Sequence, residues 1–85
     1  MIEKMFEDIA EEYQFATNNF KPFNSAHEGL AVIWEEFDEL KDEVFLKQVK
    51  RSPSKMRAEA IQLATMAIRF IIDVIDTKEE GIAGN

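Results

Sequence analysis

Glu35-Glu36-Phe37-Asp38-Glu39 lies at the centre of the run whose spacing decides the fold. Around it, Leu30, Ile33, Phe37, Leu40 and Val44 recur at alternating steps of three and four, the period of a helix and not of a strand. At about 100° per residue, Glu36, Glu39 and Glu43 fall within one arc beside that apolar stripe. Acidic side chains so placed sit at the edge of a core.

The helix around this run is predicted over about 25–47. Asn24 or Ser25 supplies its cap, with Glu28 spaced to close a capping box from Ser25 and Phe23 to staple the turn. Gly29 inside it costs up to about 1 kcal/mol relative to alanine, either tolerated or used for close approach. Lys47, Lys50 and Arg51 gather where the helix dipole is negative. Upstream, Ile2, Phe6, Ile9, Tyr13, Ala16 and Phe20 form a narrow stripe, giving a first helix over about 3–19 that packs by one face. Lys21-Pro22-Phe23 breaks it. Downstream, Ser52 followed by Pro53 is a strong helix start, for a third helix over about 53–77. Residues 78–85, with Gly81 and Gly84, read as a flexible tail.

Eighty-five residues form one domain, spanning 1–85. A core this small barely offsets chain entropy, so the predicted all-α architecture is a helical bundle completed by self-association, as a homodimer or homotetramer. The chain has no cysteine, which removes disulfides and thiolate metal sites and suits a reducing cytoplasm. The acidic amphipathic start lacks the pattern of a signal peptide, and Ala60 to Ile72, interrupted by Gln62, Thr65 and Arg69, is too short to span a bilayer. The expectation is a cytoplasmic protein without a membrane partner. A net charge of −7 argues against a nucleic-acid polymer, which needs a basic face. It leaves a small nucleotide open, because a divalent cation reverses the local sign.

The third helix carries a broad apolar arc, and its remaining polar residues, Glu59, Gln62, Arg69 and Asp73, fall on one stripe at steps of three, seven and four. If the second and third helices pack antiparallel, equal rise brings Glu43 near Glu59, Glu39 near Gln62 and Glu28 near Asp73, to within about a turn. Like charges at about 4 Å repel by some 4 kcal/mol at an effective dielectric of 20. Such a cluster calls for a cation, raised pKa values or wide separation. Oxygen-only donors favour Mg²⁺, Mn²⁺ or Ca²⁺, and a polyphosphate is the natural ligand for a magnesium with open positions.

Glu35-Glu36-x-x-Glu39, followed after nineteen residues by Glu59-x-x-Gln62, resembles the EExxE…ExxD signature of the all-α nucleoside triphosphate pyrophosphohydrolases, the MazG-like superfamily. Pro22 to Gly29 and Arg57 to Gln62 look like the short stand-alone members of phages and prokaryotes, and the likeness covers roughly Lys21 to Asp76. The resemblance implies a Mg²⁺-dependent homo-oligomer, with Mn²⁺ as a substitute ion, that cleaves a nucleoside triphosphate to a monophosphate and pyrophosphate. By position it makes Glu36, Glu39 and Glu59 metal ligands, and Glu35 a further ligand or the group that orients the attacking water, so that Glu35 and Glu36 are the catalytic pair. Gln62 stands where the signature has aspartate. As a fourth ligand it is weaker and uncharged, which leaves open a reduced metal count, an altered substrate or lost activity.

Other residues have a functional and a plain reading. Phe23 stacks on a base or staples the turn, and His27 touches ligand or lies on the surface beside the cap. Lys55 and Arg69 bind phosphate, or serve solubility and an Arg69–Asp73 salt bridge at four residues' spacing. Asp73 completes the candidate ligand-contacting set. Trp34 stacks on a base or, in the preferred reading, packs in the core. The alternatives to a hydrolase are a non-catalytic oligomeric helical bundle and a nucleotide- or metal-binding module without turnover.

Overall fold

The computed structural model describes residues 1–77; the tail expected at 78–85 lies outside the described residues. The fold is all-α: α1 (Ile2–Asn19), α2 (Ala26–Val44) and α3 (Pro53–Phe70), the last continuing as a π-helical segment over Ile71–Asp76. A 3-10 turn at Gln48–Lys50 joins α2 to α3. Among the described residues there is no strand, and no helix is long and apolar enough to cross a membrane.

Local chemistry sets the helix ends. Phe20, extended before Pro22, ends α1, its N–H donating to the Ala16 carbonyl at 2.9 Å. Ser25 caps α2 by accepting from the Glu28 N–H at 3.1 Å. The Glu28 carboxylate reaches back one residue beyond the cap, accepting from the Asn24 backbone and side-chain N–H groups at 3.0 and 3.3 Å. Ser52 caps α3 in the same way through the Lys55 N–H, with Pro53 in the first turn. Helix α2 stops at Val44, three residues before the Lys47 end expected from the sequence. Arg51 folds back there, its Nε donating to the carbonyls of Val44 at 2.8 Å and Leu46 at 3.3 Å. A side chain thus meets acceptors that a further helical turn would have used.

Helix α3 is central and packs against both α2 and α1. The core cluster is small: Ala16, Phe23, Met66 and Val74, with Val32, Ile33 and Phe70 packed against it. Thr65, fully enclosed, satisfies its hydroxyl by donating to the Ile61 carbonyl at 2.7 Å. Gly29 is a close-approach residue, because a Cβ there would lie 2.6 Å from Phe70 Cδ2 and 3.1 Å from Phe23 Cδ2. The spacing of α2 and α3 therefore depends on the missing side chain.

The apolar stripe read on α2 is split by the fold. Val32, Ile33, Leu40 and Val44 are half-buried, and so are Glu36 and Glu43. Leu30 and Phe37 are more than half exposed, and Trp34, read from sequence as a core residue, is 63% exposed between them. The reason is rotational: α3 turns its polar stripe inward, with Arg69 buried, while Ile71 and Ile75 face out. The partner face of α2 is consequently the one that carries Glu36 and Glu43.

Candidate metal centre

Glu36 and Glu39 stand one turn apart on α2, and Glu59 faces them from the second turn of α3. One carboxylate oxygen from each lies within 4.8 Å of the other two. Glu36 and Glu59 are half-buried, and each keeps an Oε2 atom shielded from solvent without a hydrogen-bond partner. Buried polar atoms of this kind are rare because each carries a desolvation penalty. Burial pushes the Glu36 carboxyl up to about 7, with repulsion from Glu39 and then Glu59 adding to it. Glu59 is raised as well, by burial first and then by Glu39. Three carboxylates so placed could hold a hard divalent ion, which would offset the repulsion at Glu36 and Glu59.

Beside the triad opens a cavity of about 540 Å³ between α1, the α1–α2 loop, α2 and α3. Phe15, Phe20, Phe23, Val32 and Met66 give it apolar walls, while Glu12, Glu28, Glu35, Glu36 and Gln62 supply polar atoms. Its size and mixed lining suit a small organic ligand. Glu36 belongs to both the triad and the cavity wall, so the two share a border.

The far end of the α3 stripe has a different structure. Arg69 is 3% exposed; one Nη donates to the Lys21 carbonyl at 2.9 Å, and the guanidinium stacks over the Phe23 ring at 4.5 Å. Asp73 stands 3.7 Å from Arg69 and accepts the Phe23 backbone N–H at 3.2 Å. The π-helical turn brings adjacent Asp73 and Val74 to partly and fully buried positions. These groups clasp the α1–α2 loop, and through it one wall of the cavity.

The fold therefore unites Glu36, Glu39 and Glu59, and puts Glu35 and Gln62 on the adjoining cavity. Phe23, Arg69 and Asp73 meet in the clasp, with Phe23 and Arg69 also on the cavity wall. His27 and Lys55 are exposed and line neither. Sequence reasoning missed Glu12 and Phe15, whose only signal was an aromatic residue off the narrow stripe of α1. They come from α1 of the same chain. Comparison with family models, with characterised proteins and with solved structures finds no match to this chain.

Proposed function

We propose that this protein is a divalent-cation-dependent nucleoside triphosphate pyrophosphohydrolase of the MazG-like kind, converting a ribo- or deoxynucleoside triphosphate to the monophosphate and pyrophosphate. The observation that carries the reading is the convergence of Glu36, Glu39 and Glu59 with two buried, unsatisfied carboxylate oxygens. Mg²⁺, or Mn²⁺ in its place, supplies charge neutralisation and Lewis acidity at the phosphates when bound. The chain's own residues do the rest. Glu36, Glu39 and Glu59 hold the ion, and Glu35, exposed on the cavity wall, orients the attacking water and accepts its proton. The cavity holds the nucleoside, and the clasp of Arg69 and Asp73 keeps its loop wall in place.

The proposal includes self-association. Leu30, Trp34 and Phe37 on α2 and Ile71 and Ile75 beyond α3 are exposed large apolar side chains, and a second copy of the chain would cover them in a dimer or a tetramer. The same faces favour the second reading, a non-catalytic oligomeric bundle.

A panel of nucleoside triphosphates with Mg²⁺ tests the reading by release of pyrophosphate. The expected result is turnover by the parent and none by Glu36→Gln or Glu39→Gln. No turnover on any substrate would leave the bundle reading in place if Mg²⁺ also fails to raise the melting temperature, and the binding module if it succeeds.

A further inference from the structure

Gln62 is the polar residue of the α3 stripe that neither the triad nor the clasp uses. It lies three residues after Glu59, is half-buried, and its side chain makes no hydrogen bond to any described residue; unlike the Glu36 and Glu59 oxygens, its amide is open to solvent. Glu59 and Glu39 do not line the cavity, but Gln62 does, together with Met66 one turn further along α3 and with Glu12 and Phe15 of α1. Glu12, Phe15 and Gln62 also border a second, more open cavity of about 370 Å³ between α1 and α3. Gln62 thus borders both cavities, with its donors and acceptor open to solvent and to a ligand.

The chemistry of the walls selects what enters. The cavity carries the carboxylates of Glu12, Glu28, Glu35 and Glu36 against the cations Lys21 and Arg69, while its aromatic and aliphatic walls accept an uncharged flat ring. An amide offers one acceptor and two donors, the complement of the polar edge of a heterocyclic base. Resting on the proposed hydrolase reading, we infer that Gln62 is a specificity-determining contact to the ring of the nucleotide and not a fourth ligand to the cation. The aspartate of the signature has here been exchanged for a group that reads substrate, and the cation is held by three carboxylates.

The test separates ion, phosphate and ring. Mn²⁺ binding to the full chain is followed by electron paramagnetic resonance of the free ion. Calorimetry with Mn²⁺ present then compares inorganic tripolyphosphate with a non-hydrolysable α,β-imido nucleoside triphosphate. In Gln62→Leu, which keeps bulk and helix propensity, affinity for Mn²⁺ and for tripolyphosphate should stay within about twofold of the parent. Affinity for the imido nucleotide should fall about tenfold, the size of a lost hydrogen bond in an apolar site. A parallel loss of Mn²⁺ and tripolyphosphate binding would make Gln62 a cation ligand and overturn the inference; unchanged nucleotide affinity would also overturn it. Gln62→Ala, checked for helicity by circular dichroism, gives the same readout if the leucine variant fails to fold. Failure of the hydrolase reading looks different, because the parent itself would then release no pyrophosphate from any nucleoside triphosphate, whatever its affinity for Mn²⁺, tripolyphosphate and the imido nucleotide.

Discussion

At one end of the α3 stripe, buried Arg69 and partly buried Asp73 satisfy the Lys21 carbonyl and the Phe23 N–H between them, with the Arg69 Nε left unpaired. At the other end, Glu59 meets Glu36 and Glu39, three groups of one sign with two buried oxygens unpaired. Both ends take charge into the protein. Only the first supplies the opposite charge from its own chain, so it contributes to the fold, while at the second burial and repulsion raise Glu36 and Glu59 above the usual carboxylate range. Unbalanced charge on an otherwise ordered helix pair is therefore the mark of the candidate site.

Removing a partner from each end should give opposite results. Arg69→Ala leaves Asp73 buried without its cation and releases the Lys21 carbonyl, and should lower unfolding stability by about 3–5 kcal/mol in a urea titration. Glu59→Gln, measured without divalent ions, should leave stability unchanged or raise it by about 1 kcal/mol, because it relieves repulsion. It should also abolish the stabilisation that Mg²⁺ gives the parent. Equal destabilisation at both ends would break the comparison.

Gly29→Ala tests the packing that brings the two helices together. The new methyl group collides with the Phe70 and Phe23 rings, and the expected loss of about 1–3 kcal/mol exceeds the gain in helix propensity of up to about 1 kcal/mol.

The pH dependence sharpens the contrast further. The Glu36 pKa is raised from 4.5 to about 7 in the fold, so the folded state holds a proton that the unfolded chain has released. This contribution is full below pH 4.5 and is lost as pH rises through about 7; Glu59 acts in the same direction. In the absence of divalent ions the melting temperature should fall between pH 5 and pH 8, by the equivalent of about 1–2 kcal/mol after solvent screening. Mg²⁺ should recover progressively more of it at higher pH, and Glu36→Gln should flatten the curve. The smallest effect is expected at the surface pair Arg57–Asp8, at 2.7 Å with the arginine half exposed. Arg57→Ala should lower stability by less than about 1 kcal/mol, read from the melting temperature.

Much of this was legible in the residues. Ser25 and Ser52 with Pro53 marked the starts of α2 and α3, and the step of three from Glu36 to Glu39 fixed their common face, because capping and helical period act over a few residues. The equal-rise register brought Glu43 near Glu59, and in the fold Glu43 does act on Glu59, which Glu39 and Glu36 join from up to two turns earlier. The early stop of α2 at Val44 was not legible, since it depends on Arg51 folding back from seven residues downstream. Nor was the exposure of Trp34, because an apolar residue beside a stripe can face either way until the partner helix is placed.

The sequence by itself determined three helices, their caps and the shared face of Glu36 and Glu39. Only tertiary structure decided that α3 turns its polar stripe inward and divides it into a neutralised clasp and an uncompensated triad. The physical reason is that a helix fixes which residues share a face, whereas the charge each of them meets is set by the neighbour packed against it.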